Sequence, residues 1–291
     1  MTMTDAALLT RISIRPMCEA DLEAGYNLSK ALSWPHRLED WQFMFSVGEG
    51  GVAETDTGEV IGTIMWWRYG KTHASLGMVI VDDAWRGHGI GRKLMTEARN
   101  ALPGAVIHLN ATPTGVPLYE KMGFRPCGIV EQRQSNAAAQ PLIALPEGVR
   151  LRPAGQNDFD ALVACDTQAC GMDRRELIAA LLTAGKGMIV DEGGEVAGYA
   201  FCRKFGWGMV VGPVVATSLE YAAAMIAYWI GSHAGQFMRL DIPQDSALSR
   251  WLDEIGLLRV DAVAAMVTDS HDSHDAESPM HRFALCSQAF G

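Results

Sequence analysis

The 291-residue chain has no long hydrophobic run. No apolar stretch approaches the roughly 20 residues that span a bilayer. Its opening, MTMTDAALLTR, has no basic stretch followed by an apolar one, so neither a membrane anchor nor a signal peptide is expected. No two of its six cysteines (Cys18, Cys127, Cys165, Cys170, Cys202, Cys286) stand as C-x-x-C. They read as free thiols in a reducing compartment, and a cytoplasmic location is the expectation. Basic excess is also missing: 24 Lys and Arg face 34 Asp and Glu, for a net charge of −10. That balance opposes nucleic-acid binding, which needs a basic footprint. Residues 1–146 carry −2 and residues 147–291 carry −8. Solubility accounts for the acidic half, and attraction of a cationic substrate is the other reading. With 48% hydrophobic and 20% charged residues, the composition is that of a globular protein.

Two phosphate motifs are absent as well. No run fits G-x-x-x-x-G-K-[ST], and none fits G-x-G-x-x-G. What stands in their place is VDDAWRGHGIGRKLM, residues 81–95. Gly87, Gly89 and Gly91 alternate, and Arg86, Arg92 and Lys93 flank them. An apolar strand pattern precedes the glycines. Leu94, Ala98, Ala101 and Leu102 follow at helical spacing. Glycines let backbone N–H groups approach an anion, and the next helix's dipole favours negative charge.

The chain also repeats itself. IRPMCEADLEA from Ile14 answers LRPAGQNDFDA from Leu151, and GEVIGTIMWWRYG from Gly58 answers GEVAGYAFCRKFG from Gly194. GMVIV at 77–81 is matched to GMVVG at 208–212, and LYEKMGF from Leu118 to WLDEIGL from Trp251. A unit this long is a domain rather than a solenoid repeat. Each copy reads as an R-P strand, helices opened near Asp21 or Asp158, and a hairpin turning at DTGE or EGGE. A fourth strand, a helix, a strand, a short helix and final strands follow. The expected fold class is mixed α/β (α+β), as two tandem mixed-sheet domains with flanking helices, residues 1–140 and 141–291. The linker is expected near 134–147.

The order strand, R-G-x-G-I-G, helix resembles the pyrophosphate loop of the Gcn5-related N-acetyltransferase (GNAT) superfamily. LNATPTGVPLYEKMGF, residues 109–124, resembles that family's fifth strand and following helix. The resemblance covers residues 12 to 134; the second copy is similar in pattern but lacks the signature. It implies acetyl-CoA as cosubstrate. Arg86, Gly87, His88, Gly89, Ile90, Gly91 and Arg92 would wrap its pyrophosphate. The backbones of Val79, Ile80 and Val81 would pair its pantetheine arm as an added strand does. Asn110 would contact that arm, or else cap the strand end. Tyr119 would donate a proton to the leaving thiolate, its ordinary pKa near ~10 suiting that task; without the motif it would read as a packing tyrosine.

No general base stands out. The fourth strand carries no glutamate, and His73 and Glu54 are the alternatives, beside a water chain. Aromatics crowd LSWPHRLEDWQFMF and IMWWRYG, and Trp34 and Trp67 are the candidate acceptor contacts. In the second copy, ATSLEYAAAMIAYWI has no glycine triplet, and Leu252 stands where Tyr119 would, so no turnover is expected there. Asp166, Cys170, Asp173 and Arg174 read as helix-surface polar residues. His271, His274 and His281 fit no standard zinc spacing, and no metal site is expected. The functional expectation is transfer of an acetyl group to the amine of a small molecule by direct attack, with no nucleic-acid or membrane partner. A protein or peptide acceptor, and a non-catalytic acyl-CoA sensor, are the alternatives.

Overall fold

The computed structural model describes residues 12–268 and 278–291. The chain divides into two compact units that meet in sequence between Ile107 and His108.

The first unit opens with β1 (Ile12–Pro16), then α1 (Leu22–Ala31) and α2 (Leu38–Ser46). Strands β2 (Glu49–Thr55), β3 (Val60–Tyr69) and β4 (His73–Val81) follow, then α3 (Ile90–Ala101). The four strands form an antiparallel sheet in chain order. Side chains alternate across it, and two neighbours on β3 show the result. Trp67 gives its indole N–H to the Met44 carbonyl of α2, at 2.9 Å. Arg68, next in sequence, reaches the Ala101 carbonyl at the end of α3, at 2.7 Å. Helices therefore cover both faces. Gly25 of α1 is required by close packing: a Cβ there would lie 2.6 Å from the Trp41 ring of α2.

The second unit takes in the end of β5 (Val106–Ala111), α4 (Val116–Lys121), β6 (Arg125–Ser135), β7 (Val149–Pro153), α5 (Phe159–Cys170) and α6 (Arg175–Ala184). Strands β8 (Lys186–Glu192), β9 (Glu195–Phe205) and β10 (Gly208–Ala216) come next, then α7 (Leu219–Ser232), β11 (Met238–Pro243), α8 (Leu248–Glu254), β12 (Leu258–Val267) and β13 (His281–Ala284). Its sheet runs β5-β12-β6-β11-β10-β9-β8-β7, with β13 added on β10. The β10–β11 pair is parallel and short: Met209 and Val210 face Met238 and Arg239. β6, from the first sequence repeat, lies between β11 and β12 of the second. The core under this sheet gathers Val211, Met225, Ile226, Leu240 and Leu252, all buried.

The repeat is visible in the charges. Arg15 of β1 forks onto Asp21 at 2.7 and 2.8 Å and also pairs with Glu54 of β2. Arg152 of β7 forks onto Asp158 at 3.0 and 2.8 Å and also pairs with Asp191 of β8. The arginine and the first aspartate recur 137 positions on, and Asp191 stands 137 positions after Glu54. In both copies the aspartate also accepts a backbone N–H, from Cys18 or Gly155, at 2.8 Å. One motif, R-P followed by D, thus ties the first strand to the helix entry and to the second strand.

One match in the repeat needs correction. On β3, Gly62, Thr63 and Trp66 face Val81, Ile80 and Leu76. On β9 their counterparts Gly198, Tyr199 and Cys202 face Ala216, Val215 and Val211. Residues 77–81 therefore answer 212–216, not 208–212. The glycine-methionine pair that suggested the other alignment is a local likeness that strand pairing overrules.

Candidate functional site

The glycine loop occupies residues 82–89, between β4 and α3. The Asp82 carboxylate accepts the Ala84 N–H at 2.9 Å and starts a short turn. Gly87 and Gly89 follow with φ of +80° and +77°. That left-handed backbone costs an L side chain roughly 1–2 kcal/mol. A Cβ on either glycine would meet no atom within 4 Å. Conformation, not crowding, therefore calls for glycine, and bare backbone faces open space. α3 starts at Ile90, whose side chain is buried. The first N–H groups of a helix lack intrahelical acceptors and sit at its positive end. A left-handed turn, bare amides and a helix N-terminus together fit a diphosphate.

The side chains of the loop differ in what they offer. Arg86 is exposed and pairs with Asp83 at 2.7 Å. Arg92 is exposed on the first turn of α3, beside half-buried Gly91. The His88 ring folds back, its Nδ1 lying 2.9 Å from the Arg86 carbonyl. His88 therefore shapes the loop from within.

β4 carries a feature that the sequence pattern does not announce. Met78 has φ +53°, rare for a side chain of its size. The β3–β4 register slips there, between the Thr63 and Met65 positions. Thr63 Oγ1 donates to the Met78 carbonyl at 2.8 Å and holds the irregularity. Such a bulge re-aims the backbone of the strand beyond it. That backbone is Val79, Ile80 and Val81, with Ile80 buried and the two valines half-buried.

The second unit holds the other two candidates. The Asn110 amide on β5 donates to the Gln288 carbonyl at 2.8 Å. It is thus a tied group rather than a strand cap. Tyr119 on α4 is 8% exposed. Its ring meets Phe124 edge-on, with centroids 6.0 Å apart, and a Cβ on Gly115 would come within 2.8 Å of it. Among the described residues nothing accepts from or donates to its hydroxyl. Burial pushes that hydroxyl up to about 12, so it stays protonated.

Trp34 is half-buried, its ring 5.7 Å from that of His36. Trp67 is 1% exposed with its N–H satisfied, an interior residue. Glu54 is committed to Arg15, and His73 Nδ1 lies 2.9 Å from Thr72 Oγ1. Asp166 and Arg174, expected on a helix surface, are instead a buried ion pair at 2.6 Å that also takes the Tyr199 hydroxyl. Asp173 is exposed and pairs with Arg175. Among the described residues no three His, Cys, Asp or Glu side chains gather as a metal site. His271 and His274 lie outside the described residues, and His281 opens β13. Burial pushes the Cys165 and Cys202 thiols up to about 11 and about 12, and moves Cys170 and Cys286 the same way.

Residues 46–126 match a family described as an acetyltransferase (GNAT) domain, and residues 162–280 match a second family of that description. Over 242 residues the chain is 30% identical to the Uncharacterized N-acetyltransferase YitH of Bacillus subtilis (strain 168), covering 81% of this chain and 82% of that one. The chain belongs to the GNAT acetyltransferase family. Its two GNAT domains stand in tandem, and solved structures share that fold. A Pyrococcus horikoshii protein, provisionally assigned as an acetyltransferase, has a TM-score of 0.78 at 20% identity, covering 96% of both chains. A tandem GNAT protein from the clavulanic acid biosynthesis pathway has a TM-score of 0.61 at 14% identity, covering 90% of this chain and 99% of its own. Among the described residues of this GNAT chain no helix is long and apolar enough to cross a membrane.

Proposed function

We propose that this GNAT chain transfers the acetyl group of acetyl-CoA to the amine of a small molecule by direct attack. The donor domain would be residues 1–140, with 141–291 as its second, degenerate copy. The observation that carries the reading is the left-handed glycine pair Gly87 and Gly89 at the N-terminus of α3. Backbone amides from Gly87 to Arg92 would hold the donor's diphosphate, with the Arg86 and Arg92 side chains beside it. The bulged backbone of Val79, Ile80 and Val81 would pair the pantetheine arm, and Asn110 would contact it.

Acetyl-CoA supplies an activated acyl carbon and a thiolate leaving group. The acceptor nitrogen forms its bond to the acyl carbon as the C–S bond breaks. One proton leaves the nitrogen, and one arrives at sulfur. Tyr119 is the donor toward sulfur. With its hydroxyl near 12 and a thiol near ~8.5, complete transfer runs uphill at ~1.4 kcal/mol per unit. Its contribution is therefore a hydrogen bond that strengthens as charge builds on sulfur, while water delivers the net proton. Four of the six thiols are poor candidates for a covalent route, because a cysteine nucleophile needs a lowered pKa and burial raises Cys165, Cys170, Cys202 and Cys286.

Half-buried Trp34 beside His36 supports an amine acceptor that stacks on an aromatic face. Trp67, being interior, would act only by holding β3 against α2. The test is CoA release from acetyl-CoA across a library of small amines, with lysine-bearing and free N-terminal peptides run in parallel. Release with small amines alone supports the reading. Release with peptides alone moves the acceptor to protein. Tight acetyl-CoA binding with no release from either set makes the chain a sensor.

A further inference from the structure

The β10 edge that faces β11 is used twice. Met209 and Val210 pair with β11, and then the two strands part. Beyond that point the same edge is taken by β13: Val214 faces Ala284, Val215 faces Arg282 and Ala216 faces His281. By the strand register above, Val214, Val215 and Ala216 are the counterparts of Val79, Ile80 and Val81. The chain's own last strand thus lies where the donor arm is proposed to lie in the first copy.

The segment after β13 is firmly seated. The Leu285 N–H donates to the Asp241 carbonyl of β11 at 2.8 Å, and the Gln288 N–H to the Asp241 carboxylate at 3.2 Å. Arg239 holds that carboxylate at 3.0 Å from two nitrogens. Buried Arg174 donates to the Gly291 carbonyl at 2.8 Å. Ala284, Cys286 and Phe290 are fully buried. A Cβ on Gly212 would fall 1.9 Å from the Leu285 oxygen, so that strand is shaped to the segment. From this seat the Gln288 carbonyl takes the Asn110 amide. The glycine loop has no equivalent here either: only Thr217 and Ser218 separate β10 from α7, and Ser218 caps the helix itself.

We propose that residues 281–291 fill, in the second copy, the strand edge that takes the pantetheine arm in the first, and from that seat fix the orientation of Asn110. The proposal rests on the donor reading of Val79–Val81 and Asn110. The chain then binds one acetyl-CoA, and Gln288 is a positioning residue for it.

Amide hydrogen exchange and calorimetric titration with acetyl-CoA test both halves on the full chain. In the unaltered protein, peptides from 281–291 show protection like that of β10, and one equivalent of acetyl-CoA binds. Gln288→Pro removes the N–H that Asp241 accepts, and Gly212→Ala places a methyl against the Leu285 oxygen. In each, protection over 281–291 falls while that of α3 persists, and acetyl-CoA binding weakens about five- to ten-fold, the range of one lost hydrogen bond. In an Asn110→Ala background, Gln288→Pro adds less than about two-fold, because the two act through one contact. Exchange of 281–291 as a free chain in the unaltered protein, or two equivalents bound, overturns the filled edge. Unchanged affinity in a variant whose protection is lost, or effects that multiply in the Asn110→Ala background, overturns the positioning role. No acetyl-CoA binding at all overturns the donor reading and the Asn110 half with it, while the exchange result still judges the filled edge.

Discussion

Replacing Tyr119 by phenylalanine removes one oxygen and leaves the ring against Phe124, so the fold should stand. If the hydroxyl stabilises the leaving sulfur, Tyr119→Phe lowers kcat by about 10²-fold or more, with acetyl-CoA affinity unchanged in calorimetry. A variant that turns over like the parent removes the hydroxyl from the mechanism. The pH profile carries a second expectation. Because burial lifts the hydroxyl to about 12, its proton is present throughout the neutral and mildly alkaline range. Rates then fall through ionisation of Tyr119 only as pH nears 12, not near the ordinary ~10. An alkaline fall centred near 10 that disappears in Tyr119→Phe would contradict this. Gly89→Ala makes a different point. No atom lies near the added methyl, so its cost is the left-handed backbone alone, about 1–2 kcal/mol of stability. Denaturant unfolding measures that loss, and the proposed diphosphate seat should weaken with it.

The two Arg–Asp clasps set element-scale behaviour. The Arg15 guanidinium beside Asp21, with the Cys18 N–H, holds that carboxyl below its usual range; Arg152 and the Gly155 N–H do the same for Asp158. A carboxylate whose folded pKa is depressed stabilises the fold above its unfolded value near ~3.9 and loses that contribution as pH falls through the folded value. Asp21→Asn should therefore be less stable than the parent at pH 7, and the two should converge in the acid range below ~3.9. Urea unfolding at a series of pH values reads this directly, and a constant gap down to pH 2 would refute it. These clasps were legible in part. R-P and D recur in both copies, but the contact between them spans a strand and a helix entry that no local pattern spells out. The Met78 bulge was not legible, since methionine has no preference for positive φ and Thr63 is distant in sequence. The 212–216 register was misread because four like residues outweighed pairing partners that only the sheet supplies. The left-handed Gly87 and Gly89 ahead of a helix start were legible because that requirement is local, a backbone that only glycine takes easily, whereas Gly91 falls inside α3.

At the scale of the molecule, the order of the second unit's strands separates covalent from spatial neighbours. β6 belongs to the first sequence repeat, yet it is hydrogen-bonded on one side to β11, from Val130 facing Pro243 to Ser135 facing Met238. On its other side it pairs with β12, from Arg125 facing Val267 to Gln134 facing Leu258. Glu131 and Arg133, buried on β6, form a 2.6 Å ion pair, joined by Arg259 of β12 and Asp253 of α8. An isolated second repeat would lose β6 and expose two strand edges and unpaired charges, each costly. The covalent link between repeats is dispensable by comparison. Leu142, in the linker, is fully exposed. A protease site inserted there and cleaved breaks one peptide bond and none of the β6 ladders. The two fragments should co-elute in native size exclusion and separate only in denaturant. Residues 141–291 expressed alone should aggregate unless a chain carrying β6 is supplied with them. Separation of the cut fragments in native buffer would mean that the β6 ladders do not hold the repeats together, and that each repeat closes its own sheet.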